Sequence, residues 1–340
     1  MKLSVIVAIH NAEDTIRRCL DSCLNQSFRD FEVICVDDAS EDHSAEIAMD
    51  YAQKHGSHFS FYSLKQSGGA GCARNAGIAH AKGEYITFLN GDDALSLTAF
   101  ERMMKVIEEK KVDILVYDAY LDYGNHQIFS NSYPLSEEGY LTAREYFIGS
   151  PDAWSKVIHR KIVERGLYFP EGIWSCDLAC MPMIALIEDV KIYYLKQPLY
   201  YYNQTNDSTT RVSEFRVKHM DVLKALNSLR QNSSLFSFQK ECEYLAYKYA
   251  LQGLGWFLYC DHRMNYLNEV IYFMQNAYPN WMNNEYVKKE DGVELKRLKY
   301  LYQKKYKRLE LYQRFHRIGK AKFDFISNTW YNINRWEEKL

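Results

Sequence analysis

The sequence predicts an α/β protein with a doubly wound, mostly parallel sheet and a helical extension toward the C-terminus. Two features of the first 120 residues carry the sheet. Short, nearly continuous apolar runs mark strands buried on both faces, and amphipathic helical stripes lie between them. Strands that alternate with helices form a parallel sheet covered on both sides. The third feature marks the extension: from about residue 211, strand-like runs give way to long stretches rich in Leu, Tyr and Lys.

The elements follow in order. Leu3 to Ile9 is apolar except for Ser4 and reads as a strand. Ile16, Cys19, Leu20, Cys23 and Leu24 form the i, i+3, i+4, i+7, i+8 stripe of a helix. Phe31 to Val36 is a second strand and ends abruptly in Asp37-Asp38. A helix over 44–54, a strand over 59–64 and a small-residue helix over 70–81 come next. Tyr85 to Leu89 is a strand that runs into Asn90-Gly91-Asp92-Asp93. Phe100, Met103, Met104 and Ile107 mark one more helix, and Ile114 to Tyr117 one more strand.

The 340 residues suffice for two domains, expected over 1–210 and 211–340. A hydrophobic share of 47% with 25% charged residues suits a chain with a sizeable core and excludes a disordered or collagen-like one. The 42 Lys and Arg nearly balance the 44 Asp and Glu, so overall charge gives no case for nucleic-acid binding. Cys19, Cys23, Cys35, Cys72, Cys176, Cys180, Cys242 and Cys260 are scattered, mostly in apolar runs, without a CxxC motif or a matching His set. They read as free thiols of a reducing compartment. No segment reaches the roughly 18 apolar residues of a membrane span, and Leu3 to Ile9 is too short for a signal peptide. A cytoplasmic protein is expected.

Parallel sheets bind ligands at the carboxyl ends of their strands. Three polar clusters fall there: Asp37-Asp38, the loop from Ser67 through Gly68, Gly69 and Gly71 to Arg74 and Asn75, and Asn90 to Asp93. Glycines allow close backbone approach, and an arginine answers phosphate charge. Adjacent carboxylates at a strand end suit a hard divalent ion that completes its shell with substrate phosphates; solvated turn residues or helix caps are the alternative. A dinucleotide fingerprint is excluded because Ala8 to Glu13 holds no glycine, and no P-loop Gly-Lys-Ser/Thr occurs.

Taken together, Leu3 to Val7, Val36 to Ser40, Gly69 to Gly77, and Gly83 to Ile86 with Asn90 to Asp93 resemble the family 2 glycosyltransferases. The likeness continues in Ala153 to Val157, Phe169 to Gly172 with Cys176-Asp177, and Tyr200 to Tyr202 with Asp207 to Thr209, so it covers about residues 2–210 in order. It implies the GT-A fold and an inverting transfer from a UDP-sugar, of the hexosyl- or N-acetylhexosaminyltransferase class, to a saccharide acceptor. It further implies that Ala8 and His10 line the base and ribose with Glu13 just behind, that Asp38 reads uracil, and that Arg74 and the Gly69 loop face the diphosphate. Asp92 would bind Mn2+ or Mg2+ with Asp93 and Asn90 beside it, and Asp177 would be the general base. Trp154 is placed on the acceptor side, where it stacks on a sugar, or else in the core.

Asn90 stands where the family has the first Asp of Asp-x-Asp, and Cys176 where a Glu precedes the base. An inactive homologue that scaffolds a membrane assembly is the second reading. A sugar nucleotidyltransferase would need a Lys-containing glycine loop after the first strand, which His10 to Glu13 lacks. Segment 296–322 carries eleven Lys and Arg against Glu310 alone, interleaved with Tyr300, Leu301, Tyr306, Leu309 and Tyr312. Such a helix lies on anionic membrane or packs as a solvated helix. The membrane reading fits a lipid-linked or cell-surface glycan precursor as acceptor and peripheral attachment at the inner face of the cell membrane.

Overall fold

The computed structural model describes residues 1–133, 136–205 and 215–315; the expectations on Asp207 to Thr209 and on residues 316–322 lie outside them. The described chain forms two compact units, one within 1–205 and the other within 215–315.

The first unit begins β1 (Leu3–Ile9), α1 (Ile16–Leu24), β2 (Phe31–Asp37), α2 (Ser44–Lys54), β3 (Phe59–Ser63), α3 (Ala70–His80) and β4 (Tyr85–Asn90). It continues with β5 (Ala94–Leu95), α4 (Ala99–Lys110), β6 (Ile114–Asp122), β7 (Gln127–Ser130), β8 (Gly139–Leu141), α5 (Ala143–Ile148), β9 (Lys156–His159), α6 (Arg160–Val163), α7 (Cys176–Cys180) and β10 (Ile192–Asn203). The sheet order is β3-β2-β1-β4-β9-β6-β10-β5, with β7 on β6 and β8 on β10. β1 to β4 run parallel, as do β6 and β10, while β9 lies antiparallel between β4 and β6. Six of the eight strands on that path therefore point one way, the mostly parallel sheet expected.

The predicted stripes are the buried ones. α1 buries Ile16, Cys19, Leu20 and Cys23, and α4 buries Phe100, Met103, Met104 and Ile107. α3 lies almost on β1: a Cβ on Gly77 would come within 2.3 Å of Ile6 Cγ2, so only glycine permits this approach. That contact holds α3 close against β1, and the site hangs on the N-terminal half of the helix.

The second unit holds helices and no strand among the described residues: α8 (Asp221–Gln231), α9 (Gln239–Leu245), a fully buried π-helical stretch (Ala246–Gly255), α10 (Trp256–Cys260), α11 (Met264–Ala277), α12 (Gly292–Tyr302) and α13 (Tyr306–Phe315). The single basic helix expected over 296–322 is corrected here, because α12 and α13 break at residues 303–305. Its apolar positions Leu298, Leu301 and Leu309 are buried in this unit, and Arg297 lies inside, 3.9 Å over the Trp256 ring. No described helix is long and apolar enough to cross a membrane.

Candidate active site

β1, β2 and β4 end level with one another: Ala8 is in register with Val36 on one side and Asn90 on the other. The loops after β1 and β2 clasp each other. Asn11 N donates to Ser40 Oγ at 3.0 Å, Glu41 N to Asn11 Oδ1 at 2.8 Å, and Ala12 N to Ser44 Oγ at 2.7 Å. Glu13 completes the clasp, accepting from His43 N at 3.0 Å at the start of α2. The exposed His10 ring bonds through Nδ1 to Asp38 O at 2.9 Å. A carbonyl can only accept, so Nδ1 is the donor in this contact.

The two acids ending β2 have different tasks. Asp37 is buried and folds its own turn, accepting from Ser40 N and Ser63 Oγ. Asp38 gathers the glycine loop: Ser67 Oγ, Gly68 N and Gly69 N donate to its carboxylate at 2.7, 2.8 and 2.8 Å. Gly69, at φ +84°, then turns the chain into α3. That conformation strains any residue with a Cβ.

At the end of β4, Asp93 is corrected from a ligand contact to an internal tie. Its carboxylate accepts from Tyr200 Oη at 2.6 Å, Asn203 N at 2.7 Å and Asn90 Nδ2 at 3.0 Å. Burial and the Asp92 charge push this carboxyl well above the usual range. Asn90 donates to Asp93 with one end of its amide and accepts from Arg74 Nη2 at 3.2 Å with the other. An aspartate at this position could not do the first. Asp92 is also buried. Among the described residues no three His, Cys, Asp or Glu side chains meet to hold an ion alone. A hard oxygen donor such as Asp92, with phosphate oxygens of a substrate completing the shell, fits Mg2+ or Mn2+.

Arg74 is placed differently from the expectation that it faces a diphosphate. It is buried, with its guanidinium 5.3 Å over the Phe169 ring, and it pairs with Asp177 on α7 while reaching Asn90. Burial works against its charge, but the Asp177 carboxylate holds the pKa above its ordinary value. Asp177 is 16% exposed and receives Ala153 N on its second oxygen at 2.9 Å. Cys176 Sγ lies 3.3 Å from the first oxygen, and burial together with Asp177 pushes the thiol up to about 12. Cys176 therefore stays a neutral thiol.

Of the two places open to Trp154, the structure gives the core: it is buried and stacks on Tyr200 at 4.4 Å and Tyr202 at 5.6 Å. Sequence reasoning missed the Ala153 amide and Tyr200 as holders of the two acids. The amide leaves no trace in residue type, whereas the run Tyr200 to Tyr202, which lies within β10, was a signal.

The profile of glycosyl transferase family 2 matches residues 4–166. The glycosyltransferase GlyA of Streptococcus pneumoniae is 29% identical over 231 residues, 62% of this chain and 32% of that one. An uncharacterised glycosyltransferase of Bacillus subtilis, EpsJ, is 30% identical over 220 residues, 62% of this chain and 63% of that one. The chain thus spans about a third and under two thirds of these relatives. The crystal structure of S. aureus TarS 1–349 in complex with UDP-GlcNAc superposes with a TM-score of 0.68 at 20% identity, covering 93% of this chain and 92% of that one. That likeness is one of fold.

Proposed function

The chain belongs to glycosyl transferase family 2, matched over residues 4–166, and on that premise we propose that it moves a sugar from a UDP-sugar to a saccharide acceptor with inversion. The observation that carries the reading is Asp177: a carboxylate fixed by Arg74 and the Ala153 amide, partly open to solvent, and joined through Arg74 to the acidic end of β4.

In this reading the nucleotide lies over the ends of β1, β2 and β4, with the base near His10 and Asp38. Ser67, Gly68 and Gly69 shape the loop beneath the phosphates by binding Asp38. The acceptor hydroxyl attacks the anomeric carbon from the face opposite the nucleotide. Asp177 takes its proton as the new C–O bond forms and the bond to the diphosphate breaks, releasing UDP. Arg74 keeps the carboxylate aimed. A divalent ion held by Asp92 and the diphosphate would offset charge on the leaving group. The acceptor class we favour is a lipid-linked or cell-surface glycan precursor.

Calorimetric titration of UDP with and without Mn2+, and a screen of UDP-sugars for slow hydrolysis, test the reading. Metal-dependent UDP binding with turnover of one donor is the expected result. Absence of UDP binding in Mn2+ would overturn it.

A further inference from the structure

Lys156 opens β9, where the surrounding run from Ala153 to Ile158 is wholly buried, and it is itself 0% exposed. An ammonium group placed there must spend all three donors on protein groups. Its Nζ donates to Asp152 O at 2.6 Å, Ser150 O at 2.8 Å and Ser155 Oγ at 3.2 Å. The first of these contacts is the informative one. The Asp152 carbonyl and the Ala153 N–H belong to one peptide group, which is planar and rigid. That same N–H donates to Asp177 Oδ2 at 2.9 Å.

We propose that Lys156 is a positioning residue for Asp177, acting through the Asp152–Ala153 peptide group. By binding the carbonyl it fixes the plane of the peptide, and so the direction in which the amide meets the carboxylate. By drawing charge onto the carbonyl oxygen it also strengthens the N–H as a donor. Ser155 Oγ donates to the same carbonyl at 3.0 Å and holds the turn from the other side. With Arg74 on the first oxygen and this amide on the second, Asp177 keeps one orientation. Burial lowers the Lys156 pKa to about 8 against the pull of Asp152 and Asp177, which marks a costly charge retained beside the base.

The inference rests on Asp177 being the base, and the test separates the two. Lys156→Met, Asp177→Asn and the double variant are compared in full-length protein, using hydrolysis of whichever UDP-sugar is turned over and calorimetric binding of UDP with Mn2+. Lys156→Met should lower kcat roughly tenfold or more while donor KM and UDP affinity stay within twofold. In the Asp177→Asn background the same change should cost nothing further. Additive losses in the double variant, or a Lys156→Met kcat equal to wild type, would overturn the role of Lys156. Full turnover by Asp177→Asn alone would instead overturn the base. If Lys156→Met does not fold, Lys156→Gln, which keeps one donor, is held to the same criteria.

Discussion

Arg74 in the first turns of α3 and Asp177 at the start of α7 form a nearly buried ion pair, and the same guanidinium reaches Asn90 at the end of β4. One side chain therefore ties the carboxylate proposed to take the proton to the strand end proposed to hold the diphosphate. Removing one partner of a buried pair strands the other charge, at about 3–5 kcal/mol. The geometry of the site and the stability of the first unit are coupled at this point.

Asp177→Asn keeps the shape of the side chain and its acceptor toward Ala153 but removes the proton acceptor. Turnover should fall by about 10²–10⁴, with UDP affinity retained. Steady-state kinetics and calorimetry on the same preparation check this; unchanged kcat would move the base elsewhere.

Arg74→Lys keeps the charge but not the fork. A single ammonium cannot bridge Asn90 and Asp177 as the planar guanidinium does. The variant should melt below wild type, with a loss of about 1–3 kcal/mol, and lose at least tenfold in kcat. Wild-type values on both counts would show that charge alone suffices here.

β1, β2, β4 and the start of β6 were legible in the sequence because they are buried on both faces, and α1 and α4 because they are amphipathic; β7 and β8, short and partly exposed, carry no such pattern. The acids were legible as positions and not as partners. Asp92 and Asp93 are identical in type and adjacent, yet Asp93 turns inward to Tyr200 and Asn203, residues more than a hundred positions away. Trp154 was undecided for the same reason: stacking on Tyr200 and Tyr202 is a tertiary fact. In the second unit, charge suggested a surface helix, but Arg297 is buried over Trp256 because guanidinium stacks on an indole face. Local composition cannot reveal that pairing.

Asp92→Asn should abolish the Mn2+ dependence of UDP binding and reduce turnover by more than tenfold, a barrier increase above about 1.4 kcal/mol. Titrations with and without Mn2+ measure it. A variant that keeps full metal dependence would remove Asp92 from the metal shell.

Asp93 gives a pH signature. Its folded-state pKa is raised by burial and by Asp92, so above about pH 4 the unfolded chain loses this proton before the folded one does. The folded state then binds more protons, and the contribution to stability falls as pH rises. Asp93→Asn cannot titrate, so relative to wild type it should gain stability as the pH rises above about 4. Urea unfolding at several pH values reads that difference, and a flat one would mean Asp93 is ionised in the folded protein.

The basic surface of α12 and α13 would meet anionic lipid through charge alone. Lys296, Lys299, Lys304, Lys305, Lys307 and Arg308 are exposed, whereas Leu298, Leu301 and Leu309 between them are buried in the second unit. Those leucines are not available to enter a bilayer, so attraction to lipid would be electrostatic, at about 1 kcal/mol for each cation near an anionic surface. Charge attraction of this kind is screened, with a Debye length of about 8 Å at physiological salt. Binding to phosphatidylglycerol vesicles should therefore be strong in dilute buffer and lost completely in high salt, with no salt-resistant fraction. Truncation is a poor test, because α12 packs through Leu298, Leu301 and Arg297 and its removal would expose the core. Changing Lys304, Lys305, Lys307 and Arg308 together to Gln leaves those contacts in place. That variant should sediment with vesicles far less than wild type at equal salt, and equal sedimentation would rule out this surface as the membrane contact.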